Sequence, residues 1–307
     1  GAFGGAFGGA GDGAFGGFGG SFGGFWGGFW GGTINAQTAI VKPDLSVPSK
    51  IAPLYFGPSA LPIPDMLDGR TSGDFSVELT YDYYDGHMGD MTQGLYFKAV
   101  VPLFSDRVNL SVWLTSVVEY YQMTEEVREF RSVDESIALE GWEYGDAYIS
   151  TDIHILKEKR YIPDVALRVV LKSALGGGFY KARYFDTPGY FFDISTGKSF
   201  NFTDSYFKEL RLSATTGFLC WQTDNGRQND AVMYGAQIKL QTPHFYIAET
   251  FGGYWGWEGD GDRPMSLKSE AHLQLDALKG FEPLLYHQWG IVDYPFTQWR
   301  IGVAYKF

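Results

Sequence analysis

The chain has 307 residues, a formal net charge of −12, and is 45% hydrophobic, 20% charged and 18% aromatic. That hydrophobic share excludes disorder over most of the length, and the acidic balance argues against a nucleic-acid partner, whose phosphates call for the opposite sign. Mean hydropathy is −0.15 and no run of about twenty apolar residues occurs, so the sequence holds no transmembrane helix. A membrane barrel hides from such averages, because only every second residue of each strand meets lipid. The single cysteine, Cys220, excludes an internal disulfide. The aromatic excess in Tyr and Trp suits a lipid–water boundary, where an apolar ring and a polar tip are both satisfied.

Residues 1–32 are built of Gly, Ala, Phe and Trp with one Ser and one Asp. Gly1-Ala2-Phe3-Gly4 recurs at Gly5 and Gly13 and drifts to Phe25-Trp26-Gly27-Gly28. Such a repeat reads as a flexible or artificial tail, or as a sticky aromatic segment that packs on a partner or inside a lumen. Ile34 and Ala36 suit the −3 and −1 positions of a signal-peptidase site with Gln37 following, but no basic stretch or apolar core precedes them. Residues 33–73 form a Pro-rich segment with Pro43, Pro48, Pro53, Pro58, Pro62 and Pro64. Proline cannot donate to a ladder, so this is not a strand. Its apolar residues, Ile51, Leu54, Tyr55, Phe56, Leu61, Ile63, Met66 and Leu67, still call for burial. The segment is either a plug lodged in a barrel lumen or a periplasmic linker.

From about residue 74 to 307 the pattern changes to alternation with turn signals between runs. The first strand sets Phe75, Val77, Leu79, Tyr81 and Tyr83 against Ser76, Glu78, Thr80 and Asp82. Further strands are expected near 93–103, 108–121, 147–156, 165–175, 190–200, 209–221, 232–241, 245–251, 267–277 and 284–292. The strand near 267–277 puts Lys268, Glu270, His272, Gln274 and Asp276 on one face, with Leu267, Ala271, Leu273, Leu275 and Ala277 on the other. Connections alternate between short and long, and Tyr and Trp gather near strand ends. The predicted fold is all-β: a transmembrane antiparallel up-and-down barrel of about twelve strands. Strands near ten residues are too long for an ordinary soluble sandwich.

The last strand alternates strictly. Trp299, Ile301, Val303, Tyr305 and Phe307 form one face; Gln298, Arg300, Gly302, Ala304 and Lys306 form the other. These five residues resemble the C-terminal insertion signal of bacterial outer-membrane β-barrels. The region from about residue 75 resembles such barrels as a whole, most of all those of Bacteroidota. Gly145-Asp146-Ala147-Tyr148 and Leu171-Lys172-Ser173-Ala174-Leu175-Gly176 are similar to a motif of channel barrels in which a Gly-Asp opens one strand and a Lys and Gly close the next. The resemblance implies a cell outer-membrane location. Outer-membrane lipid and the barrel-assembly machinery are the partners it implies, with other outer-membrane proteins as further candidates.

The inward faces are expected to carry charges of both signs: Glu78, Asp82, Lys98, Glu119, Asp152, Arg168, Lys172, Glu209, Arg211, Lys239, Glu249, Lys268, Glu270, Asp276 and Arg300. They would either fill the interior as paired charges or select a polar solute. Catalysis is not expected. Ser150 and His154 share a face but lie about 13 Å apart along a strand, too far for a nucleophile and its base. No phosphate-loop, nucleophile-elbow or zinc-ligand spacing occurs. Asp85-Gly86-His87-Met88-Gly89-Asp90 and Trp257-Glu258-Gly259-Asp260-Gly261-Asp262 are acidic turns without the calcium-loop spacing, so no metal or cofactor is expected. The leading expectation is an outer-membrane channel or transporter for small solutes. The alternative is a non-conducting structural or accessory barrel of a larger outer-membrane complex.

Overall fold

The two-residue period commits each run to a strand with one apolar face, and a strand in lipid must have both edges paired. In the computed structural model the described residues are 52–103, 105–223, 227–256 and 263–307, the side chains of 227–229 excepted. The Gly/aromatic repeat, the signal-like site, the first part of the Pro-rich segment and the acidic turn 257–262 lie outside them.

The strands are β1 (Ser76–Asp85), β2 (Met91–Pro102), β3 (Val108–Leu114), β4 (Glu119–Gln122), β5 (Glu140–Glu143), β6 (Ala147–Leu156), β7 (Asp164–Lys172), β8 (Gly189–Asn201), β9 (Glu209–Thr223), β10 (Arg227–Gln241), β11 (Phe245–Gly256), β12 (Met265–Leu273), β13 (Phe281–Val292) and β14 (Thr297–Lys306). A short helix, α1 (Glu125–Phe130), lies between β4 and β5. Each strand pairs antiparallel with its neighbour round a closed ring of twelve, from β1 through β2, β3, β6 and onward to β14, with β4 and β5 as two extra strands. The ring is sealed where β1 pairs with β14, in unbroken register from Ser76↔Lys306 to Asp85↔Thr297.

The expected third strand, 108–121, is one run broken into β3 and β4. The break keeps its ladder: Val117 N–H donates to Leu95 O at 2.7 Å and Leu95 N–H to Val118 O at 3.0 Å. Between the pairs Phe97↔Leu114 and Gly94↔Glu119 residues 115–118 face only 95–96 of β2, and the Ser116 hydroxyl sits where a side chain on Gly94 would have to go. β5 and β6 are broken opposite it, with Gly145 N–H donating to Ser116 O at 2.8 Å. The strand expected over 267–277 ends earlier, at Leu273. Asp276–Leu278 turns as a 3₁₀ helix, and Lys279 and Gly280 follow at φ 48° and 92°. The alternation of Leu275 and Ala277 therefore belongs to a turn.

The outer face is a belt of Leu79, Ile149, Val169, Phe192, Ile194, Leu212, Ile238, Ile247, Phe251, Leu285 and Ile301, all exposed. Water would penalise an apolar band of that extent; lipid requires it. The protein is a membrane-spanning barrel of the cell outer membrane. The connections 157–163, 202–208, 242–244 and 274–280 stand at the end where β1 begins and β14 finishes, the turn end. The two longest, 123–139 and 173–188, stand at the opposite, loop end. In outer-membrane barrels short turns face the periplasm and long loops the exterior.

The principal cluster of buried apolar side chains is inside the ring. Phe56, Ala60, Leu61 and Ile63 of the segment before β1 pack with inward-facing Tyr148, Val170, Phe191, Leu219, Trp221, Met233 and Tyr254. Substituting Ile301, at the middle of β14 and 61% exposed, by Arg is expected to lower unfolding free energy by about 2–4 kcal/mol in denaturant titrations from vesicles.

Candidate functional site: the occupied lumen

Residues 52–73 run through the barrel from the loop end to the turn end. At the loop end Tyr55 stacks on Phe130 of α1 at 4.9 Å, Phe56 meets Phe185 at 4.2 Å, and Gly57 N–H donates to Ala182 O at 2.8 Å. Next, Tyr294 and Tyr254 hydroxyls donate to the carbonyls of Pro58 and Leu61, each at 3.2 Å. Midway, Arg168 of β7 donates to Asp65 O at 2.5 Å and Lys268 of β12 pairs with the Asp65 carboxylate. Lower down, Arg211 of β9 donates twice to Asp68 O, at 3.0 and 2.6 Å. At the turn end Arg70 reaches Asp164 at 3.0 Å, Glu209 at 3.1 Å and Ser199 at 2.7 Å, and Thr71 donates to Asp106 O at 2.7 Å.

The chemistry of the two partners matches. Prolines at 53, 58, 62 and 64 remove backbone donors from the segment and leave carbonyl acceptors. The wall supplies Arg guanidinium and Tyr hydroxyl donors to the carbonyls of Pro58, Leu61, Asp65 and Asp68. Gly69, at φ +87°, lies against Gly197 of β8, and a side chain on either glycine would collide with the other's backbone neighbours.

Between the segment and the wall a cavity of about 90 Å³ remains. Its charged lining is Asp65, Lys98, Asp152, Arg168, Lys268 and Arg300, with Tyr84, Tyr96, Tyr286 and Tyr294 among the aromatic walls. Arg300 is clamped by Asp82 at 2.8 and 2.7 Å and lies 3.8 Å from the Tyr96 ring. Arg168 pairs with Asp193 at 2.7 Å. Lys98 stands 6.0 Å from the Trp113 ring centre. Asp152 accepts from Ser150 at 3.1 Å and Ser111 at 3.3 Å.

Thirteen of the fifteen charged residues assigned to the lumen occupy inward-facing strand positions, but they do not form one site. Asp82, Asp152, Arg168, Lys268 and Arg300 border the segment's middle, with Glu78 3.9 Å from Arg300. Arg211 belongs to the turn-end cluster around Asp164. Lys239 of β10 sits 4.0 Å from the ring of Tyr246 on β11, which separates it from the strand of half-buried Glu270. Lys172 lies at the loop end, 2.7 Å from Asp146. Asp276 is a correction: it is exposed in the turn after β12, because that strand stops three residues earlier. Glu249 is another. The pleat of β11 turns Ala248 and Thr250 inward, so Glu249 faces outward and accepts from Ser269 at 2.8 Å. Trp299, Ile301, Val303 and Tyr305 lie on the outer face of β14, and the Phe307 ring rests 4.7 Å from Phe75.

Sequence reasoning missed Asp65, since a Pro-rich segment has no period to read. It also missed Asp193 and Asp164, though Phe192-Asp193-Ile194 carries the signal, an acid flanked by two apolar residues inside a strand. The two halves of the channel-barrel motif meet in space. Fully buried Asp146 pairs with Lys172, and its other oxygen accepts from Gly176 N–H at 2.7 Å. Asp90 of the acidic turn 85–90 is taken by Arg131 at 2.7 Å, and buried Arg183 ties Glu119 at 3.1 Å to Thr92 at 2.6 Å. In the 157–163 turn, partial burial pushes the Glu158 carboxyl up, but the Lys198 ammonium and Ser199 N–H outweigh it and hold it below the usual range.

No family model matches the sequence, and no curated protein matches it. Solved structures do. An outer-membrane channel from Pseudomonas putida F1 aligns over 80% of this chain and 100% of its own, with TM-score 0.56 and 11% identity. The KdgM porin aligns over 76% of this chain and 99% of its own at TM-score 0.46 and 11% identity, and the NanC porin over 75% and 100% at 0.46 and 10%. At that identity the first of these supports the barrel fold.

Replacing Arg168 by Ala would leave Asp193 buried without its cation. The expected cost is about 3–5 kcal/mol in denaturant unfolding, and the double substitution Arg168→Met with Asp193→Leu is expected to recover much of it.

Proposed function

We propose that the protein is an outer-membrane channel for small anionic solutes, held closed in this conformation by residues 52–73. The observation that carries the reading is the central cavity. Four cations, Lys98, Arg168, Lys268 and Arg300, face it from the wall, against one wall carboxylate, Asp152. Arg168 and Arg300 have buried carboxylate partners behind them, whereas Lys268 takes its carboxylate from the segment itself. Asp65 thus occupies the place of a small anion. Withdrawing the segment would remove that carboxylate and open a lumen whose wall at mid-height favours negative charge.

The filled lumen also supports a second reading, a non-conducting accessory barrel of a larger outer-membrane assembly. The segment is gripped at both ends and in the middle, as a permanent filler would be. Planar-bilayer recording separates the two. The full chain is expected to stay mostly closed, a chain lacking residues 1–73 to conduct with anions carrying most of the current, and Asp65→Asn in the full chain to raise the open fraction. Silence from both the full and the shortened chain would sink the channel, and a cation-carried current would sink its anion preference.

A further inference from the structure

The direction in which residues 52–73 cross the barrel has a consequence separate from conduction. Their contacts descend in sequence order: Tyr55 with Phe130 and Gly57 with Ala182 at the loop end, Asp65 with Arg168 at mid-height, Arg70 with Asp164 and Thr71 with Asp106 at the turn end. The crossing is a single pass, with no described residue of the segment doubling back. β1 then starts at the turn end and pairs with β14, which finishes there. The end bearing the long loops is therefore the end at which Ala52 sits.

We propose that residues 52–73 are threaded outward through the lumen, so that Ala52 is held at the outer face of the membrane and Thr71 at the periplasmic face. The anchors fit this task. The turn-end grip on Arg70 uses three separate side chains from β7, β8 and β9, which resists withdrawal in either direction. The loop-end grip uses aromatic stacking and a backbone hydrogen bond to the 173–188 loop, which fixes the exit against the outer loops.

The test uses the full chain in intact cells. An epitope inserted between Ile51 and Ala52 is expected to bind antibody without permeabilisation, while the same epitope in the 202–208 turn binds only after the outer membrane is opened. Should the insertion perturb folding, Ala52→Cys and Thr71→Cys provide a second measurement with a membrane-impermeant maleimide. The unsubstituted chain, whose one cysteine is the buried Cys220, sets the background. Ala52→Cys is expected to label on intact cells at several times the rate of Thr71→Cys. An epitope ahead of Ala52 that is silent on intact cells but detected after permeabilisation, or a reversed labelling order, overturns the proposal. A surface-exposed epitope on a barrel that passes no current would leave it standing while removing the channel reading.

Discussion

Closure of the backbone ladder is the constraint from which the rest follows. In lipid an unpaired N–H or C=O costs several kcal/mol, so the first and last strands must find each other. Ten consecutive residue pairs between β1 and β14 do this. Once the ring is closed, side chains have only two destinations, lipid or lumen, and the two-residue period assigns them. The interruptions in β3/β4 and β5/β6 do not violate the constraint, because Ser116, Leu95 and Gly145 keep the bonds running across the gap.

The closed ring creates a second problem, an interior whose walls carry many charges. Much of this charge is neutralised locally, as in Arg168 with Asp193 and Arg300 with Asp82. The remainder is settled by a strand of polypeptide that is not part of the sheet. Its apolar Phe56, Leu61 and Ile63 pack in the loop-end half, and its Asp68 and Arg70 meet the charges of the turn-end half. Removing one partner of such a buried pair costs far more than the pair contributes net, which makes the interior intolerant of single changes.

The strand pattern was legible because lipid enforces it on every strand. β6, Ala147–Leu156, has the bounds that its alternation of Ile149, Ile153 and Ile155 against Ser150, Asp152 and His154 indicates, and the count of twelve ring strands agrees with the count of alternating runs. Alternation can also be overridden by residue type in the reading. Glu249 shares the face of Ile247 and Phe251, so the pleat itself turns it outward, and only its charge pointed to the lumen. Asp276 shows the converse, an alternation that persists past the point where hydrogen bonding ends. The interior partners were hardest to read. Arg168 was recognisable as a lumen charge, but that it would serve Asp193, on the next strand, and the carbonyl of Asp65, far away in sequence, depends on register and on a segment without periodicity.

The threaded segment is also a matter of topology. It is continuous with β1 and encircled by a ring that the β1–β14 seam closes. With that seam formed, the segment can leave only lengthwise, past the grips on Tyr55, Asp65, Asp68 and Arg70. Sideways release would require the ten residue pairs between β1 and β14 to part. The ring therefore makes the segment a captive of the sheet as well as a partner of the wall.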